Sequence, residues 1–153
     1  MEKNRVKVVD TRQYISVLRE LVEEGREVSM RIAGSSMSPF LCHNRDFIYF
    51  KKPERKLRKG DMVFYQRKNG QYVMHRICKV SSTGYYLIGD AQSDVEGPIY
   101  TSQIFAIITK IQRKGRWIRP GDFWWEFFEH IWIHLIPWRN VLLKNYNKFM
   151  KKY

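Results

Sequence analysis

Between residues 11 and 24 apolar side chains recur three and four apart, with Tyr14, Val17, Leu18, Leu21 and Val22 on one side of a 3.6-residue turn. This spacing predicts an amphipathic helix that Asp10 or Thr11 can cap and Gly25 can end. Beyond it the period changes. From Val28 to about Ile118, short runs rich in Val, Ile, Tyr and Phe alternate with Gly, Asn, Asp and Ser, the pattern of a compact antiparallel β domain. Strands are expected at 28–33, 47–51, 62–66, 72–80, 85–88 and 104–111, with hairpin turns at Asn69-Gly70 and Thr83-Gly84. The basic stretch 51–59 contains Pro53 and runs into Gly60-Asp61, so it reads as a solvated loop.

A third pattern begins at Phe123. The run to Trp138 is crowded with aromatic rings but is broken by Glu126, Glu129, His130 and His134. A membrane-crossing helix needs about 20 predominantly apolar residues, so this run is too short and too polar to be one. Arg139, Lys144, Lys148, Lys151 and Lys152 follow, interleaved with Val141, Leu142, Leu143, Tyr146 and Phe149. Two readings stay open here. One is an in-plane anchor on an anionic membrane, rings at headgroup level; the other is a helical hairpin packed on the β domain. The expected architecture is therefore mainly β: an N-terminal helix (1–27), a β domain (28–119) and an aromatic-rich helical tail (120–153).

Composition narrows the partners. At 153 residues the chain is one ordinary domain. Its 28 Lys and Arg against 15 Asp and Glu leave a net charge of +13, which calls for an anionic partner: membrane surface, nucleic acid or acidic substrate. The aromatic residues gather in the tail instead of alternating with basic ones on strands, which argues against nucleic acid. Cys42 and Cys78 lack the CxxC spacing of metal or redox sites and call for no bridge. His43, His75, His130 and His134 are scattered, and the His130/His134 pair has no third ligand nearby in sequence, so no metal and no cofactor are expected. The opening residues Met1-Glu2-Lys3-Asn4-Arg5 carry no apolar run of the secretory type.

Three segments hold candidate chemistry: Gly34-Ser35-Ser36-Met37-Ser38-Pro39, Tyr72-Val73-Met74-His75-Arg76-Ile77, and Gly89-Asp90-Ala91-Gln92-Ser93-Asp94. A serine hydroxyl attacks carbonyls only when a neighbouring base takes its proton. Histidine suits that task, since its ordinary pKa of about 6.5 leaves a neutral ring near pH 7. A carboxylate on the other ring nitrogen would fix the tautomer. Taken singly, each residue has a plainer reading. Ser36 is a turn hydroxyl, His75 a strand histidine with one structural hydrogen bond, Asp90 a turn aspartate and Asp94 a solvated charge. Taken together they supply nucleophile, base and orienting carboxylate.

Their order and setting resemble the signal peptidase I superfamily, in the branch of the endoplasmic reticulum, archaea and spore-forming bacteria where histidine replaces the usual lysine base. The resemblance runs from about Ile32 to Ile108. It rests on Ser36-Met37 followed by Pro39, Lys59-Gly60-Asp61-Met62-Val63-Phe64, His75-Arg76-Ile77, Gly89-Asp90 with Asp94 downstream, and Ile104-Phe105-Ala106-Ile107-Ile108. It implies Ser36 as nucleophile, His75 as general base, Asp94 as the third catalytic residue with Asp90 as the alternative, and cleavage of a leader or precursor peptide through an acyl-enzyme. Two departures stand out. The position two before the nucleophile, where the family often places a serine that stabilises the oxyanion, is Gly34, and no N-terminal apolar span is present. The expectation is a peptidase acting in the cytoplasm, peripheral to the inner membrane face. Lys79, four positions after His75, makes a lysine-based repressor-type site the weaker reading. A peptide-binding protein that has lost catalysis and a basic nucleic-acid binder are the alternatives.

Overall fold

The computed structural model describes residues 11–150, with side chains from 13 to 148. The Asp10 cap, the opening residues Met1 to Arg5, and Lys151 and Lys152 lie outside the described residues. Helix α1 (Thr11–Glu23) buries Ile15, Leu18 and Val22 and leaves Tyr14 and Val17 exposed, so its buried stripe is rotated from the expected one. Polar contacts to the sheet set this roll. Ser16 Oγ lies 3.1 Å from Tyr72 Oη, and Arg19 donates to Gln66 Oε1 at 2.8 Å while its guanidinium sits over the Phe105 ring.

Eight antiparallel strands follow: β1 (Val28–Arg31), β2 (Phe47–Lys51), β3 (Met62–Gln66), β4 (Tyr72–Ser81), β5 (Gly84–Ile88), β6 (Glu96–Ile99), β7 (Ile104–Arg113) and β8 (Arg116–Ile118). Their order is β1-β2-β7-β3-β4-β5-β6, and β8 pairs with β7. All six expected strands are present; β6 and β8 were not expected. The Gly97-Pro98 pair inside β6 reads as a turn, but on a sheet edge proline forfeits no ladder bond. The first strand stops at Arg31 because Ile32 leaves the ladder, its N–H donating to Asp46 O and its carbonyl accepting from Asn44.

Alternation along β3 separates two cores, as the period of two requires. Met62 and Phe64 join a cluster with α1, Met37, Phe40 and Leu41, whereas Val63 and Tyr65 join Val73, Ile77, Leu87, Ile99 and Ile107. The first core continues into the tail through Trp125, Phe128 and Trp132.

That tail is not a pair of antiparallel helices. It runs as a short helix α2 (Phe123–Glu126), a π-helical turn (Phe127–Ile131), a 3₁₀ stretch (Trp132–Trp138) and α3 (Arg139–Met150). Its inner side chains are core: Phe40 stacks on Phe128 with centroids 4.6 Å apart and meets Trp125 edge-on. Its outer side chains are open, with Phe123 71% and Trp138 64% exposed. Arg139 is fully buried and donates to the carbonyls of Gly89 (2.9 Å), Gln92 (3.0 Å) and Trp132 (3.2 Å), and Trp132 Nε1 donates to Asp90 O at 2.8 Å. The tail thus forms one wall of the 89–92 loop. Among the described residues no helix is long and apolar enough to cross a membrane.

Candidate active site

Ser36 stands in the connection between β1 and β2. Gly34 turns the chain with φ +91°, a value that favours glycine, and its N–H donates to His43 Nδ1 at 2.7 Å. Met37 and Phe40 sink into the first core, Leu41 N–H closes a helical turn on Met37 O, and Arg113 Nε donates to Phe40 O at 2.9 Å. From the other side, Ala91 N–H donates to Ser36 O at 2.9 Å. A Cβ on Gly89 would lie 2.5 Å from that same oxygen, so only glycine lets the two loops meet this closely. Ser36 is half-buried, and no described residue hydrogen-bonds its hydroxyl or its N–H.

His75 lies on β4 opposite Val63 and is 4% exposed. It lines, with Ser36, a cavity of about 310 Å³ whose walls include Ile15, Met30, Ile32 and Met74, with Gln92 at one side. Two of the sequence-predicted residues therefore meet at one cavity. Behind the imidazole, Tyr65 Oη is 3.2 Å from His75 Nδ1 and donates to Glu96 Oε2 at 2.7 Å. Glu96 is held in turn by a two-pronged contact from Arg67, at 2.7 and 2.8 Å.

This chain fixes the tautomer. A phenol has one proton, and here it goes to Glu96, so the contact at Nδ1 has His75 donating to the phenol oxygen. Nε2 is then the nitrogen with the free lone pair. Burial, with the hydrogen bond to Glu96 adding to it, pushes the Tyr65 hydroxyl well above its ordinary range, so the phenol keeps its proton. Burial pushes the His75 imidazole down to about 4, with the Glu96 charge opposing, Arg67 adding to the depression and Asp90 opposing it. His75 is neutral near pH 7 and able to accept a proton. Arg67, against the effect of burial and helped by Tyr65, holds the Glu96 carboxyl below the usual range.

The two aspartates sit elsewhere. Asp90 is fully buried with both carboxylate oxygens on Arg76, each bond 2.9 Å, while Arg76 Nη1 donates to Gly60 O. Asp94 is exposed, lines a separate cavity with Arg67 and Glu96, and makes no hydrogen bond to His75 or any other described residue. At His75 Nδ1 stands Tyr65, and behind it Glu96. Sequence reading missed both, Tyr65 as an apolar strand residue and Glu96 as part of an unrecognised strand. A signal existed for the first. The hairpin closes through a three-residue loop, 68–70, with Gly70 N–H on Arg67 O, and this register sets Tyr65 opposite Val73, hence diagonal to His75 on the same face; a two-residue Asn69-Gly70 turn would instead pair Tyr65 with Met74.

Among the described residues one grouping could ligate a metal: Glu126, Glu129 and His130, whose donor atoms lie within 4.8 Å of one another. His130 Nε2 is 3.0 Å from Glu126 and 3.6 Å from Glu129, contacts that the three side chains make with one another without a metal. Lys51, Arg55 and Arg58 line the same cavity and crowd it with positive charge. No family model matches the chain, and neither the curated proteins nor the solved structures include a significant match.

Proposed function

We propose that this chain is a serine endopeptidase with a fold of the signal-peptidase type, cleaving a leader or precursor peptide in the cytoplasm, peripheral to the inner membrane face. The observation that carries the reading is the convergence of Ser36 and His75 on one cavity, with the imidazole tautomer set so that Nε2 holds the free lone pair. Ser36 Oγ attacks the peptide carbonyl as its proton passes to His75 Nε2. The imidazolium then gives that proton to the departing amine nitrogen, the C–N bond breaks, and an acyl-enzyme remains. Water repeats the sequence, its proton passing through His75 to Ser36 Oγ. The Ser36 N–H supplies one donor to the oxyanion. Tyr65 and Glu96 act through His75 as positioning residues, and the negative charge of Glu96 offsets part of what burial costs the imidazolium.

The test needs no known substrate. Wild type and Ser36→Ala are each incubated with a peptide library, and newly formed N-termini are read by mass spectrometry. New termini with wild type alone support the proposal. New termini from both overturn Ser36 as the nucleophile, and new termini from neither, with both proteins folded, overturn the proposal and favour a peptide-binding role.

A further inference from the structure

The outward face of α3 is open to solvent and has an ordered composition, with Arg45 near its Tyr146 end. At 100° per residue, Val141, Trp138, Leu142 and Tyr146 fall in one continuous arc, and their exposures are 59%, 64%, 40% and 41%. Lys144 and Lys148, one turn apart and both exposed, flank that arc on one side. Beside the Tyr146 edge of the arc, Arg139 is buried and bonded to the 89–92 loop, so the roll of the helix is fixed and the arc cannot turn inward without breaking those bonds. We propose that this face is a docking surface for a bilayer containing anionic phospholipid.

Its chemistry separates a bilayer from other occupants. A tryptophan and a tyrosine beside aliphatic side chains match the boundary between headgroup and acyl chain, where one end of a ring is wet and the other dry. Flanking lysines meet phosphate there. A second copy of this chain would instead bring like-charged lysines together, between molecules that each carry +13. The inference gives a surface and a ligand to the peripheral placement proposed above, and it does not depend on peptidase activity.

The test is co-sedimentation of the full-length protein with vesicles of phosphatidylcholine alone and of phosphatidylcholine mixed with phosphatidylglycerol. Wild type and Ser36→Ala are expected to bind the mixed vesicles equally, with a blue shift of tryptophan emission, and to leave them as salt is raised. Neutralising a lysine near an anionic surface weakens binding about fivefold, so Lys144→Gln with Lys148→Gln should weaken it roughly 20-fold or more. Trp138→Ser with Leu142→Ser should weaken binding at least about tenfold through lost apolar burial. All four side chains are exposed, so folding should survive, as circular dichroism would verify. Equal binding to both vesicle types, or binding that neither double variant weakens, would overturn the proposal. So would a wild-type dimer that Leu142→Ser dissociates. Loss of peptide cleavage in Ser36→Ala with vesicle binding intact keeps the two readings apart.

Discussion

The buried His75 makes the stability of this protein pH-dependent in a way that can be worked out in advance. In the folded state its pKa lies at about 4, against 6.5 for the ordinary group. As pH falls through 6.5 the unfolded chain takes up a proton that the folded chain refuses, so the unfolded state binds more protons and stability drops. The loss continues until about pH 4, where the folded imidazole also protonates. Integrated over that window it amounts to about 3 kcal/mol, a large share of a typical domain's 5 to 15. The assay is urea unfolding at a series of pH values for wild type and His75→Asn. Carboxylates such as Glu96 titrate in both proteins, so the difference between the two curves isolates the imidazole to first order. The stability of wild type relative to the variant should be constant above pH 7 and fall steadily between 6.5 and 4. A difference that does not change with pH would refute the reasoning, because it would mean that burial does not disfavour the charged ring.

Three further outcomes follow from the contacts described. Tyr65→Phe leaves the His75 Nδ1–H without an acceptor, a cost of about 1 to 3 kcal/mol, and should lower kcat/KM roughly 5- to 160-fold in a cleavage assay with little change in KM. Glu96→Gln should reduce turnover and move the acidic limb of the pH profile below that of wild type, since it removes the charge that supports protonated His75; Asp94→Asn in the same assay shows whether the exposed carboxylate also contributes. Asp90→Asn leaves the Arg76 guanidinium, 1% exposed, without its charge partner and should destabilise the fold by about 3 to 5 kcal/mol in urea titrations.

Much of the scaffold could be read from the chain because its signals are local. Periodicity and Gly-containing turns locate six strands, and a serine between Gly34 and Pro39 with a histidine in mid-strand marks two residues that meet at one cavity. What escaped depends on long-range geometry. The roll of α1 is set by Tyr72 and Gln66, far along the chain, and not by its own apolar spacing. Strand β6 is hidden because Gly97 and Pro98 carry turn signals that an edge position overrides. The 89–96 segment offers three carboxylates within seven residues, and only the path of the chain decides which one faces Tyr65, which Arg76 and which the solvent.

One guanidinium carries a consequence for anyone reshaping this molecule. Arg139 joins the last helix to the segment behind the nucleophile with two carbonyl contacts, to Gly89 and Gln92, adds a third to Trp132 of its own tail, and its Nε has no partner among the described residues. The planar fork of arginine, which lysine cannot reproduce, is what spans both sides. A chimera that grafts this sheet onto a different anchor, or a trimmed version ending at the last strand, would therefore strip out a retaining wall. Any transplant of the Ser36 apparatus must carry Phe123 through Arg139 with it, and the smallest portable unit is close to the whole described chain.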